Sequence, residues 1–292
     1  MLVRKSTAVI KHQGPWVDIL HRFARNKLAM VGVLILLILI ITAVFAPWIS
    51  PYPYDQMNTS RASERPSAEH WFGTDNFGRD ILSRSMYGAR VSLQVGLLAV
   101  ALAVATGGIL GAIAAFYGGS KDNLIMRFLD VIYAVPAVLL GIAIAATLGA
   151  GLRNLMIAIA VGNIPSYARV VRASVLTVKE NEYIEASRGI GASDARIIFK
   201  HILPNAMAPI IVQATLGVAG AILACATLSY LGLGIQPPQP EWGSMLSSAR
   251  QFIRQSPHMS IFPGVCIMLT VFALNVIGDG FRDAIDPRLK DY

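Results

Sequence analysis

The residues best placed to do chemistry in this chain sit in two short polar segments. One runs from Glu185 to Pro204, EASRGIGASDARIIFKHILP, and carries Glu185, Arg188, Asp194, Arg196 and Lys200 between apolar stretches. The other is GTDNFGRD, residues 73–80, with Asp75, Arg79 and Asp80. Neither has the make-up of a catalytic centre. GTDNFGRD has glycines like those of a phosphate-cradling loop, but no Lys followed by Ser or Thr to reach a phosphate. G-x-x-x-x-G-K-[ST], H-E-x-x-H and G-x-S-x-G are absent from the whole sequence, which leaves no familiar nucleotide-binding or hydrolytic constellation. His12, His21, His70, His201 and His258 are scattered over different segments, so no metal site is expected. Cys225 and Cys266 lie inside apolar runs and read as small buried hydrophobes.

The rest of the chain explains why its polar residues stand out. Of its 292 residues 54% are hydrophobic and only 14% are charged, with a mean hydropathy of +0.56. A soluble domain carries about 25% charged residues. The missing charge implies long segments solvated by lipid, and hence an integral membrane protein. The formal charge of +8 does not point to nucleic acid, because no basic stripe interleaved with aromatics accompanies it. Arg4, Lys5, Lys11, Arg22, Arg25 and Lys27 instead crowd the N-terminus, as they do on cytoplasmic flanks.

Six apolar runs can cross a bilayer. The first is 28–48, too long for a signal peptide and closed by the aromatic, proline-rich APWISPYPY. The others are 92–117, about 124–148 with a kink expected at Pro136, 152–176 with another at Pro165, roughly 207–234, and 260–281. The expected fold is an all-α integral membrane protein with six transmembrane helices and both termini cytoplasmic. Roughly two thirds of the Lys and Arg residues then lie inside. The expected organisation is a cytoplasmic segment over 1–27, the first span over 28–48, an extracytoplasmic loop over 49–89, a core of five spans over 90–281, and a cytoplasmic tail over 282–292. The polar segment falls on the cytoplasmic face within 179–204.

Locally that segment reads as two short helices around a glycine turn. Acids near the start of VKENEYIEASR suit a helix N-terminus, and Gly189 and Gly191 suit a C-cap and a turn. Ser193 is a natural N-cap that restarts a helix, which Pro204 is expected to end. The second helix presents Ile197, Ile198, Phe199, Ile202 and Leu203. Two readings stand: this face packs beneath the protein's own spans, or part of it docks into another protein.

The segment resembles the EAA loop of ABC importer permeases: Glu-Ala-Ala, three residues, Gly, and a Leu-Pro close. Glu185, Ala186, Gly191, Leu203 and Pro204 fall on the pattern, with Ser187 in place of the second Ala and His201 where Ile is common. HWFGTDNFGRDILSRSMYGARVSL, IMRFLDVIYAVPAVLL, LSYLGLGIQPPQPEWGSML and LNVIGDGFRDAIDPRLK extend the likeness along most of the chain. They are similar to the second, C-type permease subunit of dipeptide, oligopeptide and nickel importers. The resemblance implies a bacterial or archaeal inner-membrane protein paired with a second, homologous permease subunit. It implies two cytoplasmic ATPase subunits, which hold the ATP and magnesium and take up Glu185, Ala186, Ser187, Gly191, Leu203 and Pro204 as coupling helices. It also implies an extracytoplasmic solute-binding protein that selects the ligand, a short peptide, a glutathione-like peptide or a nickel chelate. No cofactor is expected on this chain, and no enzymatic activity.

Several residues keep a plainer reading beside the functional one. Asp130 is a candidate intramembrane acid, or a helix-stabilising partner of Arg127 at i, i+3. Asp75, Arg79 and Asp80 form either a structured turn with local ion pairs or a contact for the binding protein. The competing functional class is a secondary transporter driven by an ion gradient. It would show inverted repeats and midplane carboxylates, and the sequence has no acid near the middle of a span. A membrane-embedded enzyme would need one of the constellations found absent above.

Overall fold

The computed structural model describes residues 15–285. Residues 1–14 and 286–292, with Arg4, Lys5, Lys11, His12, Arg288 and Lys290, lie outside the described residues. Among the described residues the architecture is helical, and its one strand-like pairing is an isolated bridge between Thr74 and Asp80. A short helix α1 (Pro15–Arg25) is followed after Asn26 by α2 (Lys27–Ile49). The Asn26 carboxamide accepts from the Leu28 and Ala29 amides, which fixes the start of α2 at the first apolar residues. α2 is apolar around its circumference, and Leu34, Leu37 and Ile38 are all at least half exposed. That surface belongs in lipid.

Then come α3 (Ile81–Tyr117), α4 (Gly119–Tyr133), α5 (Ala137–Leu148) and α6 (Leu152–Lys179). After them run α7 (Glu182–Gly189), α8 (Asp194–Arg196), a π-helical turn (Ile197–Ile202), α9 (Leu203–Tyr230), α10 (Trp242–Ala249) and α11 (His258–Ile285). Five helices are long and apolar enough to cross a membrane, and six crossings result if the bent pair α4–α5 counts as one.

Five features differ from the sequence expectation. The stretch over 49–89, expected to be loop throughout, is helical from Ile81, because the Asp80 carboxylate caps the Ser83 amide and starts α3 there. Arg84 and Arg90 are therefore helical. At Pro136 the chain does more than kink: α4 and α5 are inclined by 85°. Proline both removes a donor and forces the preceding residue out of helical geometry, and Val135 lies in a break of three residues. At Pro165 the reverse holds, and α6 runs on without interruption. Pro204 does not end a helix either. Asp194–Tyr230 is one continuous helical run, because the π turn before Pro204 loosens the hydrogen-bond register where proline has no N–H. The last helix reaches Ile285, into the stretch expected to be tail.

The bundle has two distinct ends. At one, α7 and the π turn tuck under α3 and α6, and Phe23 of α1 stacks on Phe281 of α11 at 4.4 Å. The loops over 50–80 and 231–257 meet at the other, around α10. In between, small residues let the helix backbones approach. A Cβ on Gly107 of α3 would stand 2.6 Å from the Ile164 carbonyl of α6, and Gly111 meets the Ala168 carbonyl more closely still. Lipid cannot drive apolar helices together by a hydrophobic effect, so this van der Waals approach carries the packing.

Candidate functional site

The polar segment is built on a frame of buried isoleucines. Ile184, Ile197, Ile198 and Ile202 are buried in one cluster with Ala112, Ala115 and Phe116 of α3 and Val171 and Val175 of α6. Ionic contacts brace the frame. Lys179 Nζ donates to the Ala115 and Phe116 carbonyls at 3.1 and 2.7 Å, covering the orphan acceptors at the end of α3. Arg172 of α6 holds Asp122 of α4 through two hydrogen bonds of 2.7 and 2.6 Å. Asp130 pairs with Arg169 at 2.7 Å and not with Arg127. The tertiary approach of α6 to α4 supplies a partner that local spacing does not show.

On this frame the segment turns sharply. Gly191 has φ +80°, in the left-handed region that glycine alone enters without a steric cost, and its amide donates to the Arg188 carbonyl at 2.9 Å. The Ser193 hydroxyl accepts from the Arg196 amide at 3.4 Å and restarts the helix. Ser187 donates to the Tyr183 carbonyl at 2.8 Å, so its hydroxyl is engaged within α7. Glu185, Ala186, Gly191 and Pro204 are exposed, while Ser187 and Leu203 are half-buried.

The apolar residues of the segment divide by face. Ile197, Ile198 and Ile202 point home, whereas Ile190 is 86% exposed and Phe199 65%. Tyr183 stands open beside them. The packing reading thus holds for Ile197, Ile198 and Ile202, while Ile190 and Phe199 are left uncovered by the protein's own spans. The exposed set surrounds the glycine turn and includes residues that sequence spacing did not single out, since periodicity marks apolarity without saying which side is already covered.

At the opposite end Asp75, Arg79 and Asp80 are buried in a tight loop. Arg79 Nε donates to Asp75 Oδ2 at 2.6 Å, and Asp75 Oδ1 accepts from the Phe77 and Arg79 amides. His70 Nδ1 lies 2.9 Å from Asp80 Oδ1. Arg61 bonds Glu64, and this hydrogen bond holds the Glu64 carboxyl below the usual carboxylate range.

Two residues that the sequence did not flag hold the second loop in place, Arg84 against the first loop and Glu241 against α3. Buried Arg84 donates to the carbonyls of Tyr54 at 2.9 Å and Pro238 at 3.4 Å. Glu241, 1% exposed, caps α10 through the Gly243 and Ser244 amides at 2.8 Å and accepts from Ser92 of α3 at 3.2 Å. Trp242 beside it is fully buried and donates from Nε1 to the Ser85 carbonyl at 3.0 Å. A Glu or Arg in a polar loop reads as solvated until tertiary contacts place it.

The described residues thus form a bundle of long apolar helices with a braced, exposed helical turn at one end and a loop cap tied by Arg84 at the other. Residues 107–291 match the binding-protein-dependent transport system inner membrane component family, and residues 14–66 match the N-terminal transmembrane domain of oligopeptide transport permease C. The chain belongs to the family of binding-protein-dependent transport system inner membrane components. It is 52% identical over 276 residues to a dipeptide transport system permease protein of Alkalihalophilus pseudofirmus, covering 94% of this chain and 91% of that relative. To the glutathione transport system permease proteins of Escherichia coli and Shigella boydii it is 46% identical over 282 residues, with the same coverage.

The fold also resembles solved structures. The inward-facing methionine ABC transporter MetNI matches with a TM-score of 0.58 at 18% identity, over 70% of this chain and 97% of that one. An amino acid ABC transporter with histidines matches with a TM-score of 0.53 at 16% identity, over 68% and 92%.

Proposed function

We propose that this chain is one of two homologous membrane-spanning subunits of an ATP-driven importer of short peptides. The observation that carries the reading is the exposed turn: Glu185, Ala186, Ile190, Gly191 and Phe199 stand open on a frame of buried Ile184, Ile197 and Ile202. In this reading the turn is the coupling surface and lies on the cytoplasmic face, with both chain termini on the same side. Two ATPase subunits hold the ATP and magnesium and grip the turn. Because Asp194–Tyr230 is a single helical run, a displacement of the turn is delivered directly to the full length of a membrane span. The π turn at Ile197–Ile202 joins the exposed turn to that run, with Ile197, Ile198 and Ile202 packed against α3 and α6.

At the opposite face the loop cap receives an extracytoplasmic solute-binding protein. Asp75, Arg79 and Asp80 shape that cap from within, and Arg84 links its two halves. The names of the relatives favour dipeptides, with glutathione as the second reading and a nickel chelate as a third.

Co-expression of the tagged chain with its partner subunits tests the reading. Two ATPase subunits and a second permease should co-purify, and vesicles holding the complex should accumulate labelled dipeptide only with ATP and the binding protein. Uptake by this chain alone under an ion gradient would refute it in favour of a secondary transporter.

A further inference from the structure

The feature that the transport reading leaves unused is α1. Its 11 residues span about 16 Å at about 1.5 Å per residue, too short to cross a bilayer of roughly 30 Å. Around its axis the residues divide into three arcs. Ile19 and Phe23 face the bundle, with Phe23 stacked on Phe281 and packed beside Ala29 and Ile277. Val17, Leu20 and Ala24 form an adjacent apolar arc that is exposed, Leu20 at 57%. Asp18, His21, Arg22 and Arg25 form a polar arc and line an open groove.

The exposed apolar arc runs on into the apolar surface of a helix long enough to span a membrane. Asn26 alone separates α1 from α2, whose opening residues Leu28, Met30 and Val31 are themselves exposed and apolar. α1 therefore sits at the rim of the hydrocarbon with its polar arc at headgroup depth. Arg22, Arg25 and Lys27 outweigh Asp18 there. The nearby acids of α11, Asp279 and Asp283, lie on the helix face away from Ile277 and Phe281 and so point away from α1, alongside Arg282.

We propose that α1 is an interfacial helix whose Arg22, Arg25 and Lys27 bind the phosphate groups of anionic lipid, and that the Phe23–Phe281 stack couples this binding to α11. The coupling to transport rests on the importer reading above. The lipid contact does not.

Two measurements test it on the assembled transporter. In vesicles of phosphatidylcholine, adding about a third of phosphatidylglycerol should raise ATP-driven dipeptide uptake about threefold or more, given the attraction of each basic residue to an anionic surface. The triple variant R22Q/R25Q/K27Q should match the wild type in neutral lipid and lose the response to phosphatidylglycerol. An undiminished response in the triple variant, or none in the wild type, overturns the proposal. Spin labels at Leu20→Cys and Asp18→Cys report depth independently of transport. Leu20→Cys should be relaxed by lipid-soluble oxygen and Asp18→Cys by an aqueous nickel complex, and a water-exposed Leu20→Cys label refutes the interfacial placement. If no lipid supports uptake, the importer reading fails, and the labels still decide the position of α1.

Discussion

Single residues at the loop cap carry more than their composition suggests. Arg84 is 4% exposed and satisfies backbone acceptors from two different loops, so its removal strands the Tyr54 and Pro238 carbonyls and weakens the surroundings of Asp75. Arg84→Ala should destabilise the protein by about 2–3 kcal/mol, the cost of leaving such buried groups unpaired. Thermal unfolding of the purified complex would show it as a lowered midpoint, with Arg90→Ala, on an exposed position of the same helix, as the neutral control.

Glu64 makes a pH-dependent prediction at the same scale. Its folded carboxyl is held low by Arg61, so the pairing is fully present above the ordinary carboxylate range and is lost as pH falls through the depressed value. Protection of the 58–75 loop from proteolysis should persist into acid in the wild type and fail at a higher pH in Arg61→Gln. Equal pH profiles for the two would count against the pairing.

Among the elements, the α7 to α9 region is where sequence and structure inform each other most closely. Gly189, Gly191 and Ser193 mark the turn in the sequence, and the positive φ of Gly191 and the Ser193 cap give the physical reason. Gly191→Pro, or a bulky charge at Ala186, should abolish peptide-stimulated ATP hydrolysis while the protein still reaches the membrane. Ile190→Asp and Phe199→Asp should do the same without lowering thermal stability, because both side chains are already in solvent. Ile197→Asp should instead prevent folding of this end, since it places a charge in a fully buried site. If Ile190→Asp and Phe199→Asp hydrolyse ATP and transport as the wild type does, this surface is not the coupling surface.

In the molecule as a whole, close backbone approach at Gly107 and Gly111 lets α3 and α6 meet along their seam. Gly107→Leu has no room against Ile164 and Tyr167 and should push the two helices apart. The expected result is loss of the assembled complex on a sizing column, with aggregation or degradation of the chain. Gly108→Leu should be tolerated, because the nearest atom to a Cβ there is 3.9 Å away. Equal behaviour of the two neighbours would mean that the seam does not control packing.

The sequence by itself determined that this chain is a helical membrane protein, where most spans run, and where the glycine turn falls. Those properties depend on apolar run length, backbone permissiveness and capping chemistry, all local in the chain. Only the tertiary structure decided that Pro136 breaks a helix sharply while Pro165 does not, since proline within an apolar helix is compatible with either outcome. It alone separated Ile197 from Phe199, paired Asp130 with Arg169, and turned Arg84 and Glu241 from loop charges into buried ties. Burial and pairing are set by residues distant in sequence, and no local pattern contains them.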